Sequence, residues 1–205
     1  LLRSMAIYLK LIHHLKALGH VERASLFTLI IISSLAVGLY VFLKNTSPEI
    51  STKHSFKLFL ITVLGWSIGM CANGLVRGLE PFFARGTFVF AGFEDLGGVL
   101  LSSIFLFFYC RKTKLNFLEV LDSYVLAVLA FLSFSALGCF ILGCCDGVAT
   151  TVAWAIAGPA PLPGARQEYF HPTQLYSLLA FSIIFLLGRI LVSETPRGRR
   201  AFFGL

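Results

Sequence analysis

Ten residues, "GCFILGCCDG" (138–147), combine three glycines, three cysteines and one aspartate at the end of a long apolar run. Thiols and a carboxylate at that density can hold a zinc ion or close a disulfide, and the segment can equally be a packing surface or a lipid-handling site. The glycines leave room for another backbone or a lipid headgroup to come close. A second set, "FHPTQLY" (170–176), opens the last apolar run with His171, Thr173, Gln174 and Tyr176, all able to hydrogen-bond. A third, "FEDLGG" (93–98), places Glu94 and Asp95 just before Gly97–Gly98 in otherwise apolar sequence. Ionisable groups at membrane depth are functional by default. Taken alone, His171 is a loop residue beside Pro172 and Tyr176 an interface anchor; the combination is what points to a site. The metal reading is weaker: zinc wants Cys-x-x-Cys pairs or a Cys/His partner pair. Here five cysteines (Cys71, Cys110, Cys139, Cys144, Cys145) lie mostly inside apolar segments, with His171 the nearest histidine in sequence to the last three. Adjacent Cys144 and Cys145 do not easily share one ion. The cysteines read as small buried hydrophobes, and neither a metal nor another cofactor is expected.

The elements that must position these groups are membrane helices. The chain has 205 residues, 57% hydrophobic and only 13% charged, against roughly 45–50% and about 25% in soluble domains. Its net charge of +7 sits in short loops such as "CRKTKLN", where bases meet anionic headgroups and set orientation. With no phosphate-cradling loop or RNA-binding motif, nucleic acid is excluded as a partner. No small-residue cleavage site follows the first apolar run, so no cleavable signal peptide is expected. The reading is an all-α integral membrane protein with about five transmembrane helices, near 24–43, 58–76, 96–110, 117–145 and 174–192. Residues 1–23 are expected as an interfacial amphipathic helix, with Leu2, Met5, Leu9, Ile12 and Leu15 opposite Arg3, Lys10, His13, His14 and Lys16. The transmembrane domain then runs over 24–205. Residues 146–173, broken by Pro159, Pro161, Pro163 and Gly164, form an irregular Gly/Pro-rich external loop. Placing "RKTK" in the cytoplasm puts this loop, and the N-terminal end of the first span, on the outside.

Over residues 69–205 the order and spacing of these motifs resemble the prolipoprotein diacylglyceryl transferase family. Members that carry cysteine have Gly-Arg-Ile-Gly-Cys-Phe-Leu-x-Gly-Cys-Cys-x-Gly, a Thr-rich loop with Trp, and His-Pro-x-Gln-Leu-Tyr. Gly138, Cys139, Phe140, Gly143, Cys144, Cys145 and Gly147 match the first, Thr150, Thr151 and Trp154 the second, and His171 to Tyr176 the third. The resemblance implies transfer of the diacylglyceryl group of phosphatidylglycerol to a lipobox cysteine, in the bacterial inner (cytoplasmic) membrane. That chemistry needs a cation for the phosphate and a route to the substrate thiolate, and no metal. Glu94, Asp95 and His171 become the candidate catalytic groups. Gly138, Gly143, Gly147, Gln174 and Tyr176 become candidate substrate contacts.

Two signature residues differ. The family's phosphate-handling arginine is replaced by Ala136, and the histidine before its Gly-Gly pair by Leu96. The family also continues past a tail like "RRAFFGL" into a helix with a second functional arginine. These departures predict a diverged homologue with lost or reduced catalysis, a structural or lipid-binding subunit that partners a phosphatidylglycerol-like phospholipid and other membrane proteins. The alternative is an active, divergent transferase acting on a lipoprotein precursor, with Arg77, Arg85 or Arg166 supplying the missing cation. A transporter-like bundle is a third reading, without the inverted repeat that would support it.

Overall fold

The structure, a computed structural model, describes residues 19–47, 50–87, 95–158 and 168–194. Five α-helices dominate: α1 (His20–Asn45), α2 (Thr52–Arg85), α3 (Asp95–Thr113), α4 (Phe117–Leu142) and α5 (Thr173–Glu194). Each contains a stretch long and apolar enough to cross a membrane, as an integral membrane protein requires. Their outward residues, such as Leu29, Ile32, Leu100, Phe108, Leu179 and Leu186, are large, apolar and exposed, the pattern of helices solvated by lipid rather than water.

Four of the helices exceed the apolar runs that announced them, whereas α4 stops at Leu142, three residues short of the expected end at 145, because Gly143 takes a left-handed backbone. α2 starts six residues before its run, where Ser51 caps it by accepting from the His54 N–H at 3.5 Å. It continues past Val76 to Gly86, whose left-handed backbone (φ 68°) ends it with a 2.8 Å bond to the Phe82 carbonyl. Backbone hydrogen bonding does not stop where hydropathy does: 34 residues span roughly 51 Å, well beyond a bilayer's apolar core. The helix expected over residues 1–23 falls mostly outside the described residues; its last four, 20–23, form the first turn of α1. The segment between α4 and α5 carries a short ribbon that its composition did not announce. Strands β1 (Ile156–Ala157) and β2 (Tyr169–Phe170) pair antiparallel, Ile156 opposite Phe170 and Ala157 opposite Tyr169. The ribbon lies outside the spans, where a peptide can leave helical pairing without facing lipid.

The chain divides into two compact units, one from residues 1–38 and 126–190, the other from 39–125 and 191–205. In the second, α2 and α3 meet backbone to backbone. A Cβ at Gly65 would lie 2.8 Å from the Ser102 Cα, and one at Gly98 would lie 2.9 Å from Trp66 Nε1. Gly65 and Gly69 are one turn apart on α2, the small-xxx-small arrangement that lets helices approach closely in lipid. The start of α4 joins through a buried 2.6 Å bond between Ser102 and Tyr124, whose hydroxyl also reaches the Val99 carbonyl at 3.2 Å. In the first unit, α1 and α4 run antiparallel. Gly38 lies against Ala127 and Phe131, and Gly138 against Phe27 and Ile30.

Candidate functional site

The signature segment begins where α4 ends. Gly143 adopts a left-handed backbone (φ 76°), and its N–H and that of Cys144 both donate to the Cys139 carbonyl, at 3.0 and 3.1 Å. This is a Schellman-type stop, for which glycine at the left-handed position carries no Cβ penalty. Cys145 follows with φ 62°, a conformation costing a non-glycine residue about 1–2 kcal/mol, so surrounding contacts must hold it. The first turn of α5 supplies them. Thr173 Oγ1 donates to the Cys145 carbonyl at 2.6 Å, while Gln174 Nε2 donates to the Cys144 carbonyl and to Asp146 Oδ1, the latter at 2.8 Å. The strand-like exchange Gly147 N–H to His171 O (2.9 Å) and His171 N–H to Val148 O (3.1 Å) closes the corner. A Cβ on Gly147 would meet Thr173 Cγ2 at 2.7 Å and His171 Cβ at 2.9 Å. The last signature glycine is therefore required by the His-Pro-Thr turn packed against it.

Above this corner stands a three-residue relay. Trp154 Nε1 donates to the Tyr176 hydroxyl at 2.6 Å, and that hydroxyl lies 3.0 Å from His171 Nδ1. Indole is only a donor, so the phenolic oxygen accepts from Trp154; in the His171 tautomer protonated on Nε2, Nδ1 accepts the phenolic proton. A proton delivered to the Tyr176 oxygen can thus displace the phenolic proton onto His171. Cys144 is half-buried, and burial first, then the neighbouring Cys145 thiol, pushes its pKa above the ordinary thiol value. The sulfurs of Cys139, Cys144 and Cys145 lie within 4.8 Å of one another.

Of the residues singled out in the sequence, Gly138, Gly143, Gly147, His171, Gln174 and Tyr176 fall in one unit, and the last five gather at this corner; Gly138 lies farther back, packed against α1. Asp95, exposed in the first turn of α3, and Arg77, exposed on α2, belong to the other unit, as does Arg85, which closes α2. Glu94 and Arg166 lie outside the described residues. Ala136 is buried, while Leu96 is exposed.

One cation was missed. Arg23, in the first turn of α1, brings Nη1 to 3.6 Å from the point a Cβ of Gly143 would occupy. Its Nε is buried and has no hydrogen-bond partner among the described residues. The signal for it was in the orientation, since the start of α1 and the end of α4 exit on the same side. Gln174 offers the complement: its Oε1 is buried and likewise without a partner among the described residues.

Comparison with known proteins identifies the family. The sequence profile of the family described as prolipoprotein diacylglyceryl transferase matches residues 20–205, which brings α1 and Arg23 into a resemblance read from the motifs only as far back as residue 69. A phosphatidylglycerol–prolipoprotein diacylglyceryl transferase of Bacteroides fragilis is 33% identical over 129 residues, covering 60% of this chain and 45% of the relative. One of Clostridium tetani is 32% identical over 98 residues, covering 45% and 39%. One of Idiomarina loihiensis is 30% identical over 165 residues, covering 78% and 59%. The chain thus spans about half the length of the curated relatives it matches. With a profile match over all five helices and the signature corner, the chain belongs to the prolipoprotein diacylglyceryl transferase family.

Proposed function

We propose that this chain binds a phosphatidylglycerol-like lipid at the corner between α4 and α5 and transfers its diacylglyceryl group to a cysteine thiol of a lipoprotein precursor, in the bacterial cytoplasmic membrane. The observation that carries this is Arg23: a buried guanidinium nitrogen without a partner among the described residues, beside the signature glycine Gly143. Ala136 cannot hold a phosphate; Arg23, at the same end of α4, can meet it with a planar, permanently charged fork. The Gln174 acceptor, without a partner among the described residues, suits a headgroup hydroxyl. A buried donor and a buried acceptor flanking one short segment together match a ligand carrying both a phosphate and an alcohol.

In the reaction, the precursor thiol gives its proton to the Tyr176 oxygen as Tyr176 passes its own to His171 Nδ1. The thiolate sulfur bonds to the diacylglyceryl carbon while that carbon's bond to the phosphate oxygen breaks. Glycerol phosphate leaves with the electron pair, its charge met by Arg23. The second reading, lipid binding without transfer, is favoured by Ala136 and Leu96, which replace the family's arginine and histidine.

The test is an assay of the purified chain with phosphatidylglycerol vesicles and a lipobox peptide, following the peptide's mass. Transfer that falls about a hundredfold or more in Arg23→Gln is the expected result. Undiminished transfer in that variant would remove Arg23 from the mechanism. Transfer absent in the unmutated chain but gained in Ala136→Arg would establish the binding-only reading.

A further inference from the structure

We propose that Cys139, Cys144 and Cys145 form a three-thiolate site for a soft d10 metal ion, Zn2+ or Cu+. The inference starts from how α4 stops. In a Schellman-type ending the residue after the left-handed glycine folds back over the last helical turn, where the two side chains touch. Usually both are hydrophobic; here they are Cys144 and Cys139. The second left-handed residue, Cys145, then turns a third thiol toward the same point. The Cys144 and Cys145 sulfurs are 3.7 Å apart, and all three are within 4.8 Å of one another. A tetrahedral ion with metal–sulfur bonds near 2.3 Å holds its sulfurs about 3.8 Å apart.

Thr173 and Gln174, from another helix, grip the Cys145 and Cys144 carbonyls. The turn is thus held by side chains outside it, and a conformation that a cysteine adopts only against strain is fixed before any ion arrives. Cys139 and Cys144 are half-buried and Cys145 exposed, so the site has two sheltered ligands and one facing the approach. Chain spacing by itself disfavours a metal here, since neighbouring cysteines usually point apart. A helix stop followed by a second left-handed residue is the case in which adjacent cysteines converge. Soft thiolates select Zn2+ or Cu+ over the hard cations. Three protein ligands leave Zn2+ a fourth position for solvent, while Cu+ is satisfied by three. For Zn2+ the balance is three thiols plus one ion giving a singly negative three-thiolate complex and three protons released to buffer.

This inference is independent of lipid transfer and is read without lipid or peptide. The full chain is purified in detergent under reducing conditions, stripped with a chelator, and titrated with Co2+ as the Zn2+ surrogate and, anaerobically, with Cu+. The expected result is a 1:1 end point in at least one arm. In the Co2+ arm it comes with a thiolate-to-metal charge-transfer band, displacement by Zn2+ and heats that depend on buffer through proton release. An end point in the Cu+ arm alone assigns the site to copper. Cys139→Ser and Cys145→Ser should each weaken binding at least tenfold, whereas Cys71→Ser, on α2, should not. Metal-free melting of each variant is measured alongside, and Cys145, being exposed, keeps the test valid if Cys139→Ser does not fold. Absence of a 1:1 end point with both ions, or unchanged affinity in Cys145→Ser, would overturn the proposal.

Discussion

On α2 and α3, Gly65 and Gly69 oppose Gly97, Gly98 and Ser102, and the backbones touch because nothing stands between them. At the end of α4, Gly143 has only the Arg23 guanidinium near its Cβ position but adopts a left-handed conformation, and Gly147 is ordinary backbone pressed against the His171–Thr173 turn. One residue type thus serves two purposes, close approach along a helix pair and shape in a turn. The family's Gly-Gly pair, placed by motif matching near the chemistry, here has a sufficient packing reason in the α2–α3 contact. The sharpest way to break the comparison is Gly69→Ala. Its methyl would press on the Gly97 carbonyl, with Gly98 N only 2.9 Å away. Both are backbone atoms of a helix, which cannot rotate aside, so destabilisation should reach about 3 kcal/mol. Thermal unfolding in detergent reads it, and an unchanged melting temperature would mean that α2 and α3 are not in backbone contact.

Gly147→Ala should have a smaller effect. The new methyl meets two side-chain atoms and one carbonyl, and side chains can shift by tenths of an ångström. About 1–2 kcal/mol is expected. Unlike Gly69→Ala, this variant should act on the site itself, displacing His171 from Tyr176 and lowering any transferase rate by more than its loss of stability explains. Equal effects of the two variants on rate, at matched folded fraction, would erase the distinction between packing glycine and site glycine.

The five spans were legible because burial in lipid demands apolar residues in long runs, and little else in a sequence looks like that. Their ends were not, since α2 continues through Arg77 to Arg85 on backbone hydrogen bonds that hydropathy does not see. At the site, "GCFILGCCDG" and "FHPTQLY" were recognisable as a pair, and the structure joins them through Gln174, Thr173 and the exchange between Gly147 and His171. Arg23 escaped because it stood before the first apolar run, where a base reads as an interfacial anchor, about 120 residues from the glycine it faces. Cysteine convergence escaped for a different reason: it depends on two positive φ angles, and only one of them, at Gly143, falls on a residue that advertises it.

The finest distinction lies within the turn, between Cys144 and its neighbour. Cys145 is exposed; Cys144 is half-buried, and burial raises its pKa, reinforced by the adjacent thiol. Only the thiolate reacts with a maleimide, so a raised pKa means less thiolate at neutral pH and a labelling rate that keeps rising where an ordinary thiol, near 8.5, has levelled off. The measurement uses the chelator-stripped Cys145→Ser variant, with Cys71, Cys110 and Cys139 also changed to serine, so that a single thiol reports. Removing the neighbours weakens the second cause but leaves the first, desolvation by the α4 stop and the α5 turn. The rate should therefore climb tenfold per pH unit up to a plateau above the ordinary thiol value, and the plateau should move down in Gln174→Ala, which opens the turn to water. A plateau at or below 8.5 in the parent variant would mean that the segment after Gly143 is as open as a surface loop.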